Sequence, residues 1–238
     1  VLLLTYGYTF LTVKENPLPE HTEERVKVKL VPYLRGLMAY PEAAKYTFSL
    51  SLFWLGSGGA TPFVTLFGTQ ALGATESQSF LLPLAFVVCS AIFSVPAGLL
   101  ADRIGKKPVM MVGLGIYGLG ALVGSQANDL LQATIALAVI GIGNAGTAPL
   151  NPLLTDLIPR TRMAELLGVG SAVWSFVQPL GSVLAGAVVW LAASALGEQE
   201  SHDAYRWAFI FAGVMILLAA LSLRWVHPER ATRESLEA

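Results

Sequence analysis

Long apolar runs and short charged interruptions alternate along this chain. Six stretches contain no Asp, Glu, Lys or Arg: residues 47–75, 77–101, 108–128, 130–155, 166–197 and 207–223. A helix needs roughly 20 apolar residues to cross a hydrocarbon core, and five of the stretches reach that length. The sixth reaches it when Trp225 and Val226 are included, with Arg224 snorkelling to the surface. Only helices and closed barrels satisfy their backbone in lipid. None of the runs alternates with a period of two, so the pattern predicts helices. The expected fold is an all-α membrane protein with six complete transmembrane helices, a bundle over residues 47–226.

Composition strengthens this picture. Hydrophobic residues make up 54% of the chain and charged residues 13%, with a mean hydropathy of +0.61; soluble domains carry about 25% charged residues. The cations also set an orientation. Lys14, Arg25, Lys27, Lys29, Arg35 and Lys45 precede the first complete span. Arg103, Lys106 and Lys107 follow the second, Arg160 and Arg162 the fourth, and Arg224, Arg230 and Arg233 the sixth. These are alternate loops, and the opposite loops hold only Arg206 against Glu76, Asp129, Glu198, Glu200 and Asp203. The cation-rich side is expected to be cytoplasmic, which places the tail, residues 227–238, there. The membrane in question is then the plasma membrane, or the inner membrane in a bacterium. A net charge of −1 implies no nucleic-acid partner.

Residues 1–13 are apolar and lack the charged head and cleavage site of a signal peptide. They are expected to be the end of a preceding transmembrane helix, stopped by Asn16-Pro17-Leu18-Pro19. Residues 14–46 then form a cytoplasmic linker. The single Cys89 reads as a small buried hydrophobe, with no disulfide, metal or cofactor implied.

The order Gly98-Leu99-Leu100-Ala101-Asp102-Arg103-Ile104-Gly105-Lys106-Lys107 joins two spans across a very short charged loop. It resembles the signature loop of the major facilitator superfamily of transporters at every defining position. Asp156-Leu157-Ile158-Pro159-Arg160, with Glu165 and Gly168, is similar to the family's next cytoplasmic loop. The resemblance covers the whole chain. It implies half of a twelve-helix fold, with the six complete spans as the second half and the first half of the same transporter as partner. A first-half motif has an Arg one turn before Gly-x-Gly; here Leu137 stands at that place before Gly141-Ile142-Gly143. Tyr33-Leu34-Arg35 before the first span is similar to the glycoside and sucrose branch of sugar–cation symporters.

The resemblance also implies a conformational latch. Asp102 and Arg103 would hold the halves together when the cavity faces outward, with Gly98, Gly105, Lys106 and Lys107 shaping the loop. Asp156, Arg160 and Arg162 lie on the same side and would complete the charge network; their plainer role is as topology determinants. The physics of the loop agrees. Gly98 admits a close neighbour, Gly105 permits positive φ, Pro108 suits a first helical turn, and the cations sit at anionic lipid.

Polar residues recur inside three spans. Ser57, Thr61, Thr65 and Thr69 share the spacing of one helix face, as do Asn144, Thr147 and Asn151, and Ser171, Trp174, Gln178 and Ser182. An unpaired amide in hydrocarbon is costly, so each should face protein or a wet cavity. By resemblance these helices line or border the central cavity. That makes Trp54, Thr61, Thr65, Asn144, Asn151, Trp174 and Gln178 candidates for contacting a small solute. The plainer reading is that the hydroxyls bond their own backbone and the amides hold helices together. Gly141-Ile142-Gly143-Asn144-Ala145-Gly146 fits a dinucleotide pattern formally, but no strand precedes it, and helix packing explains it better. Gly113, Gly115, Gly118 and Gly120 are read the same way. Pro62, Pro96, Pro149 and Pro179 are candidate kinks, and residues 166–196 exceed a normal span, so they should tilt, bend or project.

No Asp, Glu, Lys, Arg or His lies in the core of a complete span. A membrane-embedded enzyme needs a nucleophile, an acid or a metal cluster at depth, whereas His21, His202 and His227 fall in loops or the tail. The chain is therefore not read as an enzyme. The expected function is secondary transport by alternating access, with cargo between two halves: a sugar coupled to a proton or sodium ion. The alternatives are efflux of a drug or metabolite, and a transporter-like receptor that moves nothing.

Overall fold

The computed structural model describes residues 38–158, 162–196 and 201–229, all within the compact unit Val31–Ala238. The described residues contain helices and turns and no strand. Six helices are long and apolar enough to cross a membrane: α1 Pro41–Ala71, α2 Glu76–Ile104, α3 Lys106–Gly124, α4 Leu130–Asp156, α5 Leu166–Ala195 and α6 Asp203–Trp225. The sixth does include Trp225, with Arg224 exposed. The expected preceding span and the expected linker as far as residue 37 lie outside the described residues, as do Arg160 and most of the tail; the end of that linker, residues 41–46, is instead the first turn and a half of α1.

Local chemistry sets the helix ends. Pro41 occupies the first turn of α1, where its missing N–H costs nothing. The helix thus starts six residues before the charge-free run, and the buried Tyr46 makes that extra turn worthwhile. Thr75 and Gln78 form a reciprocal capping box at the start of α2. Gly105, at φ +101°, ends α2 and turns straight into α3. Asp129 accepts the backbone N–H of Gln132 at 2.8 Å and caps α4.

Two of the four internal prolines interrupt their helices. In α1 the α-helix ends at Ala60; a 3₁₀ turn follows at Thr61–Phe63 and a π turn at Phe67–Ala71. In α4 the chain unwinds between Ala145 and Leu150. There Pro149 and Pro152 remove two N–H groups three residues apart, and Gly146 precedes them. Pro96 and Pro179 each remove only one bond and stay inside continuous helices. The helix carrying Pro179, Met163–Leu196, runs unbroken for 34 residues.

Helix α1 packs between α5 and α6; α6 continues to α3, α3 to α4, and α4 to α2. Small residues allow the closest approaches. A Cβ on Gly58 would collide with the Gln178 carbonyl, and one on Gly181 with that of Leu55, so α1 and α5 touch backbone to backbone. Likewise α3 and α4 meet at Gly113 and Gly146, where an added Cβ would stand 2.6 Å from Cα. Gly141 lies against Phe86 of α2, and Gly143 against Tyr117 of α3. The glycine-rich run of α4 is thus a packing surface. Gly115 is different from its neighbours: open space faces it, so close packing does not explain it.

The packing order leaves α2 and α5 at the two ends of the arrangement. They bury 6% and 11% of their most apolar windows, against 39–50% for the other four helices. At the end opposite the signature loop, Arg206 does structural work. It pairs with Asp203 at 2.8 Å and donates to the carbonyls of Ser125 and Ala127 at 2.9 and 2.5 Å, where α3 ends.

Candidate functional site

The charged end of the bundle is built on the α2–α3 turn. Lys106 Nζ stands 2.6 Å from Asp156 Oδ2 and also donates to the Pro152 carbonyl at 3.2 Å. It therefore ties the signature loop to the short terminal segment of α4, Leu150–Asp156. Lys107 Nζ donates to the carbonyls of Val226 at 2.7 Å and Arg224 at 3.2 Å, closing the C-terminal end of α6. Gly105 gives the turn that aims both lysines.

Asp102 and Arg103 behave differently. Both are exposed, and among the described residues neither makes a hydrogen bond or ion pair. Gly98, one turn earlier on the same face as Asp102, has nothing within 4 Å of where a Cβ would be. So Asp156 pairs with Lys106, while the Gly98–Asp102 face stays open. Arg162 is half-buried.

A second cluster at this end escaped the sequence reading. Glu42, 4% exposed, holds Lys45 Nζ at 2.8 Å and accepts the backbone N–H of His227 at 2.6 Å. The Tyr46 hydroxyl donates to the Leu150 carbonyl at 2.7 Å, the first carbonyl after the break in α4. The available signal was Pro41-Glu42, a helix start with an acid in its first turn, followed by Lys45 three residues on.

The polar stripes divide. Thr61 donates to the Ser57 carbonyl at 2.7 Å and Thr69 to that of Thr65 at 3.2 Å, so these hydroxyls serve their own backbone. The break at Pro62 also destroys the regular face on which Thr61, Thr65 and Thr69 were expected to align. Thr61 is exposed and Thr65 half-buried. Asn144 donates through Nδ2 to Ser90 Oγ at 2.8 Å, bridging α4 to α2. Asn151 lies beyond the break, exposed. Ser182 donates to the Gly58 carbonyl at 2.8 Å beside the half-buried Gln178. Trp174, 8% exposed, packs beside Gly170 and Leu154, where α5 meets the end of α4. Trp54 is half-buried against the core. Both indole N–H groups are sealed from solvent and have no acceptor among the described residues.

The structure thus brings Gln178 to the α1–α5 seam, sets Trp174 where α5 meets the end of α4, packs Trp54 against the core and draws Asn144 to α2 instead. Among the described residues no group of three His, Cys, Asp or Glu side chains could hold a metal.

The model of a protein family described as Major Facilitator Superfamily matches residues 46–238. The chain belongs to the Major Facilitator Superfamily. Relatives within this superfamily include the inner membrane transport protein YajR of Escherichia coli (strain K12), 29% identical over 138 residues, covering 56% of this chain and 30% of YajR. The quinolone resistance protein NorA of Staphylococcus aureus is 26% identical over 193 residues, covering 80% of this chain and 46% of NorA. An MFS-type transporter of Methanocaldococcus jannaschii, MJ1560, is 25% identical over 170 residues, covering 70% and 40%. This superfamily chain therefore spans less than half the length of each of these relatives. Among solved structures, a bacterial homolog of the human lysosomal transporter Spinster, inward-facing and unoccupied, superposes with a TM-score of 0.67 at 20% identity. It covers 79% of this chain and 43% of that one. The shared fold is an all-helical membrane bundle of the major facilitator type.

Proposed function

We propose that this bundle is the second half of a secondary transporter, which moves a small solute by alternating access against a first half of similar size. The observation that carries the reading is the face of α2 bearing Gly98 and Asp102. It presents a family-signature carboxylate that bonds nothing among the described residues, on a helix that is itself scarcely buried. A partner of the size missing relative to YajR, NorA and MJ1560 would cover that face. Asp102 would then latch to it, with Arg103 turned to the neighbouring face of α2, while Lys106–Asp156 and Lys107 hold the loop rigid. Gly105 and the exposed part of α4 complete the latch region, to which Arg160 and Arg162 add charge. On this reading residues 1–13 end the preceding span and residues 14–40 link the halves, the last six residues of the expected linker being helix α1. The cation-rich side with the tail is cytoplasmic, and the membrane is the plasma membrane or a bacterial inner membrane.

Two cargo classes remain in play. A sugar moved with a proton or sodium ion draws support from the amides Asn144, Asn151 and Gln178. A lipophilic organic compound exported from the cell draws more. The Asn144 amide is spent on Ser90, the Thr61 and Thr69 hydroxyls are spent on their own backbone, and the middle of each described span carries no charge. NorA, similar over 80% of this chain, is named for quinolone resistance. Gln178 at the α1–α5 seam, Trp54, Thr61 and Thr65 of α1, Trp174 of α5 and Asn151 of α4 are the proposed contacts. The test is flux in proteoliposomes of the full-length protein, with a fluoroquinolone and a disaccharide compared under imposed proton and sodium gradients. Saturable quinolone flux is expected. Disaccharide flux alone would move the cargo to the sugar class, and flux of neither would overturn both assignments.

A further inference from the structure

A crevice of about 390 Å³ opens between α2 and α3, with α4 as its floor. Although α2 and α3 are joined by the tight turn at Gly105, they touch little; α2 packs chiefly on α4, and α3 on α4 and α6 alike. The walls are Pro96, Leu100 and Ile104 of α2 and Val112 of α3, and the floor includes Ile142 and Ala145. All of the lining is hydrocarbon or glycine apart from backbone. The rim is exposed: Leu100 47%, Ile104 58% and Val112 63%.

Helix geometry separates this crevice from the transport face. At roughly 100° per residue, Pro96, Leu100 and Ile104 lie on the opposite side of α2 from Gly98 and Asp102. Ile142 likewise lies on the far side of the continuous helix Leu130–Ala145 from Asn144. A partner half that covers the latch face leaves the crevice turned toward lipid. Its depth also fits lipid. From Phe93 to Ile104 the helix rises ~16 Å, about one leaflet of a ~30 Å hydrocarbon core.

The mouth of the crevice is the signature loop. Three cations, Arg103, Lys106 and Lys107, stand there against the single loop carboxylate Asp102. Lys106 and Lys107 have fixed partners, and Arg103, which follows the crevice side of α2, has none among the described residues. An apolar slot one leaflet deep with an exposed guanidinium at its mouth is complementary to one molecule type. We infer that the crevice binds an anionic phospholipid, with an acyl chain between α2 and α3 and the headgroup phosphate on Arg103. Arg guanidinium suits phosphate because its donors match the oxygens in pairs. The inference goes beyond transport and does not depend on the identity of the cargo.

Native mass spectrometry of the full-length protein in detergent, titrated with phosphatidylglycerol or phosphatidylcholine, tests it. The expected result is one retained phosphatidylglycerol with about fivefold preference over phosphatidylcholine, the equivalent of ~1 kcal/mol for one cation at an anionic surface. Arg103→Ala should bring that ratio to near one. Ala97→Phe combined with Val112→Phe, which fills the slot from its rim, should abolish retention of either lipid while the protein stays monodisperse. Equal retention of the two lipids by the wild type would overturn the inference. So would absence of any retained lipid, which would mean that protein covers the slot. If the filled variant is aggregated, electron paramagnetic resonance of spin-labelled lipids on the wild type decides the question. A motionally restricted phosphatidylglycerol component supports the site, and identical spectra for the two lipids overturn it. Lipid retention is read without flux, so failure of the transport assignment is distinguishable from failure of this one.

Discussion

Single side chains at the charged end carry different loads. Tyr46 is fully buried and gives its only proton to the Leu150 carbonyl. Tyr46→Phe should lower stability by about 1 kcal/mol, the net worth of one such bond, as a drop in thermal midpoint in detergent. Asp102 touches nothing among the described residues. Asp102→Ala should therefore leave stability within ~0.5 kcal/mol, as for surface changes generally, while flux falls at least about tenfold. A large loss of stability with flux retained would make Asp102 a structural residue of this bundle. The Asn144–Ser90 bond crosses two helices, and such bonds average ~0.6 kcal/mol in membranes. Asn144→Leu should cost that much in stability, with little change in flux if the amide only joins α4 to α2. Residue identities at this scale were only partly legible beforehand. The signature loop named its own lysines and carboxylate, but their partners depend on chain segments 50 and more residues away, as with Lys106–Asp156 and Lys107–Val226. Glu42 was hidden because it precedes the apolar run in which a span is sought.

Among the elements, the spans themselves were readable because lipid demands length and apolarity, and both are properties of sequence alone. Their interruptions were readable only in part. Four prolines marked possible breaks, and the helices broke at Pro62 and Pro149, where neighbouring prolines or glycines weaken the ladder further. The regular threonine face of α1 was an inference from unbroken α-helix, so it failed at the Pro62 turn. Glycine positions discriminate between neighbours in a way that composition does not. Gly113 meets Gly146, whereas Gly115, two residues on, meets nothing. Gly58→Val drives a side chain into the Gln178 carbonyl and should cost about 3 kcal/mol or more. Gly115→Ala should be neutral or slightly stabilising, since Ala exceeds Gly in helix propensity by up to ~1 kcal/mol. Thermal unfolding of the two variants side by side checks the assignment. Equal effects would contradict the packing described for α1 and α5.

For the molecule as a whole, two helices remain underused. Four helices bury 39–50% of their apolar windows, and α2 and α5 bury far less. One face of α2 carries the signature Gly98 and Asp102, and the other carries the lipid-sized crevice. This division follows from the helical repeat once the break-free run Leu81–Ile104 is known. It could not be drawn from hydropathy, because every face of α2 is apolar. The central claim is that the Gly98–Asp102 face opens and closes against a first half as cargo moves. Val95 and Leu84 lie on that face, 68% and 56% exposed, toward the signature-loop end of α2 and its opposite end respectively. In full-length protein with Cys89 and any other native cysteine replaced by Ser, single cysteines at these two positions can be labelled in open membrane fragments with a maleimide. The account predicts that adding transported cargo changes the two labelling rates in opposite directions, one rising severalfold as the other falls. Rates that move together, or that do not respond to any cargo, would contradict alternating access at this face.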